Sequence, residues 1–236
     1  MPNIELIHDD CMNVMAKYPD KYFDLAVVDP PYGIGEDGSK TDSRRVKTSS
    51  WANPKKGKYV AGKGWDNETI NDEYIKELRR ISVNQIIWGA NHFINKLPFP
   101  SSCWVVWDKK DGKDGSDFAD CELAYTSFSS SVRMFKKHWT GWGAINSGED
   151  RIHPTQKPVA LYRWLLHNYA KPGDKILDTH LGSQSSRIAA YKLGFDFWGC
   201  EIDDDYIRDG NARFEKGIAM PLFDPIPQPE QKLLFQ

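Results

Sequence analysis

The chain has 236 residues and a formal net charge of −2, with 40% hydrophobic and 27% charged residues. A chain of this length and composition can bury one sizeable core and is expected to form a single domain. Its apolar runs fall short of the ~20 residues of a membrane span, and its N-terminus lacks the pattern of a secretory signal, so we expect a cytoplasmic protein.

Strands and helices are predicted to alternate along the chain. The predicted strands are 4–8, 23–28, 85–88, 103–107, 122–128, a short strand ending at 178, and 197–201, with a further edge piece at 132–135. The predicted helices are 12–17, 71–81 with Asn71 as N-cap, 158–169, one beginning near 184, and 203–215. Such alternation argues for a mostly parallel sheet with both faces covered, an α/β fold.

The cysteines show no pairing pattern. They are scattered and form no C-x-x-C pair, at Cys11, Cys103, Cys121 and Cys200. This spacing favours reduced core thiols over a disulfide framework or a zinc site. We predict no structural metal.

A carboxylate, a rigid turn and an aromatic ring meet where the second predicted strand ends. The apolar run 23–28 is followed directly by Asp29, Pro30, Pro31 and Tyr32, at the edge where α/β sheets place their chemistry. Prolines have a fixed φ and donate no N–H, so the Asp29 carboxylate and the Pro30 carbonyl are held as acceptors. This pair suits an exocyclic amino group whose ring stacks on Tyr32. The alternative is a strand that ends in an ordinary Pro-Pro turn.

A small-residue turn and a later acid predict a nucleotide-cofactor site. One strand ends at Asp178, and a turn containing Gly182 and Ser183 leads into the next helix. The following strand ends in Glu201, ~20 residues beyond the turn, the spacing at which nucleotide-binding units place an acid on ribose hydroxyls.

These segments resemble the amino-group DNA methyltransferases that use S-adenosylmethionine. The match comprises Asp-Pro-Pro-Tyr at 29–32, His-Pro-Thr-Gln-Lys-Pro at 153–158 and the turn at 178–183. Catalytic motif first and cofactor motif last is the circularly permuted order of the β group. The resemblance implies a three-layer, Rossmann-like, seven-stranded methyltransferase sheet in one domain, 1–220, whose last strands form an antiparallel pair. It also implies that the first strand lies beside the strand ending at Glu201.

The resemblance assigns a role to each motif. Asp29, Pro30, Pro31 and Tyr32 are implied to bind the reacting amine of a flipped-out base. The implied cofactor residues are Asp10 near the adenine, Glu201 on the ribose, Thr155 and Lys157 at the methionine carboxylate, and Asp178, His180, Gly182 and Ser183 around the methionine end. The alternatives are helix capping for Asp10 and Glu201, and a surface position for Lys157.

The cofactor turn departs from the family pattern Asp-Pro-Phe-x-Gly-Ser-Gly. Thr179 and His180 replace Pro-Phe, and Gln184 replaces the second glycine. A side chain at position 184 stands where backbone usually passes closely, which predicts weaker cofactor affinity or a shifted pose. An inactive relic that binds DNA without transferring methyl groups is the corresponding alternative.

A strongly basic segment follows the Asp-Pro-Pro-Tyr motif. Between Lys40 and Lys63 lie eight basic residues and one acidic residue. We predict that 33–66 is a loop that contacts phosphates beside the reacting base, and the alternative is a solvated surface loop. The residues assigned to DNA are Lys40, Arg44, Arg45, Lys47, Lys55, Lys56 and Lys58. A small recognition segment is expected at 129–150.

Substrate and partners follow from the resemblance. In the family, Asp-Pro-Pro-Tyr goes mostly with adenine N6 and Ser-Pro-Pro-Tyr with cytosine N4, so adenine in double-stranded DNA is favoured and cytosine is the alternative. A homodimer is expected because the recognition segment is short. In the tail, 221–236, the residues Gln231, Leu234 and Phe235 resemble a sliding-clamp-binding pentapeptide, and the alternative is a tail folded onto its own core.

Methyltransferases with substrates other than DNA are the alternative class of enzyme. Enzymes acting on RNA or on a protein glutamine would share the cofactor turn. Those that act on protein amides usually carry Asn-Pro-Pro-Tyr and place the cofactor motif first. Both the Asp29 carboxylate and the order of the motifs disfavour that class.

Overall fold

The computed structural model describes residues 1–37, 62–97, 99–110, 119–139 and 148–219. Its strands are β1 Ile4–His8, β2 Phe23–Val28, β3 Ser82–Trp88, β4 Trp104–Asp108, β5 Cys121–Thr126, β6 Arg133–Lys136, β7 Lys175–Asp178 and β8 Asp196–Glu201. Its α-helices are α1 Cys11–Met15, α2 Asp72–Ile81, α3 Val159–Tyr169, α4 Ser185–Leu193 and α5 Asp204–Ala219, with 3₁₀ turns at Ala90–His92 and Ile94–Lys96.

Within the described ranges, eight strands form one open sheet in the order β1-β8-β7-β2-β3-β5-β4-β6. This is one strand more than the seven expected. The additional strand is β6, which pairs in parallel with β4 at the edge, where the sequence predicted an edge piece. Strand β5 runs antiparallel to both β3 and β4. The antiparallel pairing therefore lies in the middle of the chain, and the last two strands, β7 and β8, are parallel rather than the antiparallel pair expected.

The two ends of the chain meet in the sheet. Strands β1 and β8 pair in parallel from Ile4 opposite Phe197 to His8 opposite Glu201. This confirms the adjacency that the permuted motif order implied. The first strand of the chain, β1, therefore lies next to β8, the strand that ends at the cofactor candidate Glu201.

The sheet is the middle of three layers. Alternate residues of β2 point to opposite faces, because side chains on a strand alternate. Leu25 and Val27 pack with α3 and α4 in one core. Ala26 and Val28 pack with α1 and α2 in the other. Being buried on both faces explains why β2 is a continuous apolar run.

Helix and strand boundaries differ from the predictions by a few residues. Helix α2 begins after Asn71, whose side-chain oxygen accepts the Tyr74 N–H, as expected of an N-cap. Strand β3 begins at Ser82 rather than at 85, because the polar Ser82 and Gln85 are buried and bonded to each other: the Gln85 amide donates to the Ser82 carbonyl at 3.0 Å. Helix α5 continues to Ala219, beyond the predicted end at 215.

All four cysteines lie in described ranges and are free thiols, but Cys121 is exposed, so the expectation of four core thiols is wrong for that residue. Among the residues that the structure describes, no group of three or more His, Cys, Asp or Glu side chains is arranged to bind a metal ion. In the same residues, no helix is both long and apolar enough to cross a bilayer.

Candidate active site

The two predicted motifs meet at the topological switch point of the sheet. Strands β7 and β2 are parallel neighbours, with Leu177 opposite Ala26. From β7 the chain passes through α4 to β8, and from β2 it passes through α2 to β3, so the connections diverge. A crevice outside the carboxyl ends of the strands is the usual ligand site at such a point. Asp29 and Asp178 lie at this edge.

The Asp29 carboxylate is held by two donors. Its Oδ1 accepts the Tyr32 hydroxyl at 2.6 Å, and its Oδ2 contacts the Lys157 ammonium at 2.5 Å. The Asp29 side chain is 16% exposed and that of Lys157 is 3% exposed. Burial raises the pKa of Asp29, and the Lys157 ammonium opposes this shift.

Glu122 of β5 is a second carboxylate beside the Lys157 ammonium. Its Oε2 lies 3.1 Å from the Lys157 ammonium, and its Oε1 accepts the Lys109 ammonium at 2.7 Å. Burial acts to raise the pKa of Glu122, but the two lysines outweigh it and lower the pKa to about 2. Burial acts to lower the pKa of Lys157, but Asp29 and Glu122 outweigh it, so the pKa of Lys157 is raised and the ammonium stays charged.

This position differs from the one expected for Lys157. The resemblance implied contact with the methionine carboxylate at the turn after β7, whereas the ammonium lies on Asp29 and Glu122. The main chain of Lys157 does reach the cofactor turn, because its carbonyl accepts the Ser185 hydroxyl at 2.7 Å. The same residue therefore joins the start of α4 to Asp29.

Tyr32 is held against backbone and ring neighbours. Its ring lies against Gly89, where an added Cβ would be 2.0–2.3 Å from three ring carbons. The His92 ring stacks on the Tyr32 ring, with the two centroids 5.2 Å apart and the planes inclined by 15°. The backbone N–H groups of Tyr32 and Gly33 donate to Asp66 Oδ1 at 2.7 and 2.9 Å.

Residues 62–66 extend from Tyr32 to the cofactor turn. Asp66 contacts Tyr32 as described, and the neighbouring Trp65 ring lies 5.1 Å from the His153 ring. His153 in turn lies over Gly182, where an added Cβ would be 3.3 Å from the imidazole. Burial lowers the pKa of His153 to about 3, so its ring is neutral at ordinary pH.

The turn after β7 is braced by hydrogen bonds. Asp178 Oδ1 accepts the His180 N–H at 3.0 Å, and Asp178 Oδ2 accepts the Ser186 hydroxyl at 2.5 Å. Gly182, with φ of +45°, donates its N–H to Glu201 Oε2 at 2.8 Å. Burial raises the pKa of Asp178 to about 7, and the charge of Asp29 adds to this shift.

Ser183 and His180 are fixed by neighbours from the helical layers. The Ser183 carbonyl accepts the buried Arg213 guanidinium at 2.6 Å, and Arg213 also binds Glu149 at 2.6 Å. The Tyr74 ring lies 5.3 Å from the His180 ring. Burial lowers the pKa of His180 to about 4.

Gln184 does not obstruct the turn as the sequence suggested. Its backbone is left-handed, with φ of 61°, and its side chain is fully buried. That side chain packs on Gly210 of α5 and accepts a hydrogen bond from Arg187 at 2.7 Å. It therefore lies between α4 and α5 rather than over the turn.

Three of the cofactor candidates have local partners. Asp10 Oδ1 accepts the Met12 N–H at 2.8 Å as the N-cap of α1, the alternative foreseen for it. Thr155 contacts His153 Nδ1 through both its N–H and its hydroxyl, at 3.3 and 3.2 Å. Glu201 accepts the N–H groups of Ile202 and Asp203 at 3.0 Å in addition to that of Gly182.

Several predicted residues lie outside the described residues. These are the DNA-contacting Lys40, Arg44, Arg45, Lys47, Lys55, Lys56 and Lys58, the middle of the recognition segment, and Gln231, Leu234 and Phe235 of the tail. Lys63, at the end of the basic segment, is described and pairs with Asp203 and Asp205 at 2.6 and 2.8 Å. The described stem of the segment, 33–37 and 62–66, thus begins and ends beside Tyr32 and the cofactor turn.

Sequence reasoning missed Glu122 and Asp66. Glu122 is the first residue of the predicted strand 122–128, and no sequence motif gives it a role. Because β5 is antiparallel, its first residues lie at the edge where the parallel strands end, so Glu122 reaches the site. A charged residue at the start of an apolar strand was the available signal. Asp66 had no signal, since its three backbone donors come from a distant segment.

The chemistry of the crevice fits S-adenosylmethionine. Acceptors surround it at the ends of three strands: Asp10 after β1, Asp178 after β7 and Glu201 after β8. A ligand that carries an ammonium, a sulfonium, ribose hydroxyls and an amino group matches such a set of carboxylates. A side chain at Gly182 would be strained by the positive φ, and its Cβ would press on the His153 ring at 3.3 Å.

Fold and site together define a Rossmann-like methyltransferase. A family model described as DNA methylase, for N6 and N4 methyltransferases, matches residues 95–212, half of the chain. The chain therefore belongs to this family of amino-group DNA methylases, whose cofactor is S-adenosylmethionine.

Individual proteins and structures agree with the family over most of the chain. The type II methyltransferase M2.LlaDCHI of Lactococcus lactis subsp. cremoris is 23% identical, over 93% of this chain and 92% of that protein. The M1.HpyAVI complex with SAM has a TM-score of 0.54 at 16% identity, over 89% of this chain and 98% of that one. The PvuII cytosine-N4-specific DNA methyltransferase has a TM-score of 0.55 at 10% identity, over 93% and 92%.

Proposed function

We propose that this protein is a site-specific DNA methyltransferase that acts on the exocyclic amine of a flipped-out base, adenine N6. The observation that supports it is that Asp29 and the turn that begins at Asp178 follow two adjacent parallel strands, β2 and β7, at the switch point. An amine acceptor and a cofactor turn thus lie on one crevice, joined by the single residue Lys157.

Asp29 acts by geometry and charge. When bound, S-adenosylmethionine supplies a methyl group on a positively charged sulfur. An ionised carboxylate has about four lone-pair positions, and two are used by Tyr32 and Lys157, so two remain for the substrate amine. Hydrogen bonds from the amine to Asp29 and to the Pro30 carbonyl aim the nitrogen and stabilise the positive charge that develops on it.

Tyr32 provides a face for the extruded base. A base inside a duplex cannot reach the crevice, so it must be flipped out at a cost of a few kcal/mol, and stacking on an aromatic ring offsets part of that cost. Pro30 and Pro31 fix the chain between the carboxylate and the ring. His92 stacks on Tyr32, so an incoming base must displace His92 or use another part of the ring.

The proposed cofactor residues contact different parts of S-adenosylmethionine. Asp178, His180, Gly182 and Ser183 line the methionine end, Glu201 receives the ribose hydroxyls, and Asp10 lies near the adenine through its second carboxylate oxygen. Thr155 supports His153 over the turn. The basic segment 38–61, outside the described residues, contacts phosphates on the duplex.

Adenine is preferred over cytosine on the identity of one residue. The fold does not separate the two bases, since a cytosine-N4-specific enzyme has a similar fold. The preference comes from Asp29, because Asp-Pro-Pro-Tyr accompanies adenine in the family that this chain resembles.

The decisive experiment is transfer from isotope-labelled S-adenosylmethionine to genomic DNA, followed by mass spectrometry of the nucleosides. We expect labelled N6-methyl-2′-deoxyadenosine; labelled N4-methyl-2′-deoxycytidine would reassign the base. Asp29→Ala is expected to abolish transfer while cofactor binding persists. Asp20→Ala, a surface change at the far edge, is the control and should leave transfer unchanged. No label in either base from wild-type protein that binds DNA would favour a DNA-binding relic.

A further inference from the structure

Lys157 lies between two carboxylates rather than on one. Its ammonium is 2.5 Å from Asp29 Oδ2 and 3.1 Å from Glu122 Oε2, and it also donates to the Tyr32 hydroxyl at 3.0 Å. The side chain is 3% exposed, so water does not compete for these contacts. A buried charge of this kind is stable only when it is paired and its donors are used.

Glu122 cannot easily leave this arrangement. It is the second residue of β5, and its other oxygen is bound by Lys109 at 2.7 Å, with the Lys109 side chain 15% exposed. Backbone pairing to β4 fixes its position, since Glu122 lies opposite Trp107. Glu122 thus gives the ammonium a second carboxylate neighbour besides Asp29.

We infer that Lys157 and Glu122 are positioning residues for Asp29: the ammonium orients the carboxylate and favours its ionised form for the incoming amine, while Glu122 holds the ammonium in place and its own negative charge partly opposes that ionisation. The inference rests on the proposed role of Asp29 as the amine acceptor. It gives Lys157 a role other than binding the cofactor carboxylate, and it adds a residue from a strand that contains no recognised motif.

The charges around Asp29 make the inference testable by titration. Facing it are Lys157 from the segment before α3, Glu122 from β5, Tyr32 from its own turn, Tyr162 from α3 and Asp178 from β7. The pKa of a carboxyl falls beside a positive charge and rises beside a negative one. Removing Lys157 and removing Glu122 should therefore shift the pKa of Asp29 in opposite directions.

The experiment measures the acid limb of kcat against pH at saturating cofactor and DNA. Lys157→Met is expected to move the limb to higher pH by about one unit or more, and Glu122→Gln to move it to lower pH. Lys157→Arg keeps the charge and should hold the limb near its wild-type position. Lys21→Met and Glu77→Gln are matched controls away from the site, and should not move it.

A second readout does not depend on activity. The Asp29 carboxyl carbon is followed by NMR in each variant, identified by its loss in Asp29→Asn, and its midpoint should move as the acid limb does. Midpoints that stay fixed, or that move in the same direction in both variants, would overturn the inference. If Lys157→Met does not fold, an unchanged Asp29 titration midpoint in Glu122→Gln would by itself overturn the inference. Inactive wild-type protein would refute the proposed function, while the carboxyl titration would still decide this inference.

Discussion

The Asp66 carboxylate accepts the backbone N–H of Tyr32 at 2.7 Å, although the two residues are separated by the basic segment. Asp66 also accepts the N–H groups of Gly33 and Glu36, at 2.9 and 2.7 Å, and is 2% exposed. The carboxylate therefore fixes the turn that carries Tyr32 to the far end of the segment expected to contact DNA.

Removing this carboxylate should loosen Tyr32. Asp66→Ala leaves three backbone donors without their acceptor, and we expect it to lower the free energy of unfolding by about 2–3 kcal/mol. Methyl transfer should fall further than the loss of folded protein explains. Asp66→Asn retains the oxygen for Tyr32 and should be milder. Asp174→Ala, which removes one exposed bond to the Lys171 N–H, is the control. Equal effects of Asp66→Ala and Asp174→Ala in urea unfolding would contradict the prediction.

Gly89 should be required for the position of Tyr32. A Cβ at this residue would lie 2.0–2.3 Å from the ring, and its φ is +67°. Gly89→Ala must therefore displace Tyr32 as well as strain the backbone, and we expect transfer to fall by at least about 100-fold, the cost of misplacing a reacting group by ~1 Å. Gly173→Ala shares the positive φ but meets no atom within 4 Å. It should cost stability of about 1 kcal/mol without loss of kcat.

Cofactor binding should depend on pH through Asp178. Burial raises its pKa to about 7, and the ionised carboxylate is the form that suits a cationic ligand. Affinity for S-adenosylmethionine is therefore expected to increase about tenfold from pH 6 to pH 8, because the binding-competent fraction rises by that factor. His153 and His180, with pKa values lowered to about 3 and about 4, stay neutral over this range. Calorimetric titration at three pH values measures the slope, and Asp178→Asn should remove it.

The same group should affect stability in the opposite sense. Its folded-state pKa is above the ordinary value of 3.8, so the folded protein binds the extra proton between the two values. This contribution to stability is complete below pH 3.8 and is lost as pH rises through about 7. In the absence of cofactor, Asp178→Asn should gain in Tm relative to wild type as pH rises from 6 to 8. A constant difference would contradict the pKa shift.

Gln184 and Gly210 should be energetically coupled. A Cβ on Gly210 would lie 2.3 Å from the Gln184 amide nitrogen, so Gly210→Ala is expected to destabilise by about 1–3 kcal/mol through overpacking. In a Gln184→Gly background the clash is gone, and the same change should stabilise α5 by about 0.5–1 kcal/mol. Gly217→Ala, which approaches only the end of Ile188 at 3.1 Å, is the control. Additive effects in urea unfolding would show that Gln184 lies elsewhere.

That cycle also tests the altered cofactor turn. Because the Gln184 side chain lies between α4 and α5, Gln184→Gly should leave cofactor affinity within about threefold of wild type, less than one tenfold step of 1.4 kcal/mol. A tenfold tightening would restore the view, drawn from the sequence, that this side chain obstructs the turn.

The amino-acid sequence alone was enough to predict the family, the layered sheet and the strand ends that carry Asp29, Asp178 and Glu201. These features were readable because strand and turn propensities act over a few neighbouring residues. The order of the motifs also predicted that β1 lies beside β8, a pairing of segments at opposite ends of the chain.

Which side chains contact each other became clear from the three-dimensional packing. Lys157 contacts Tyr32 across 125 positions and selects Asp29 and Glu122 as partners, and the Gln184 side chain turns toward α5. These contacts depend on burial. A charged or amide group that is removed from water must form its hydrogen bonds and ion pairs with the groups packed around it. Because β5 runs antiparallel to its neighbours, Glu122 near its start lies at the edge of the sheet where Asp29 is found. The local sequence does not show in which direction a strand runs in the sheet.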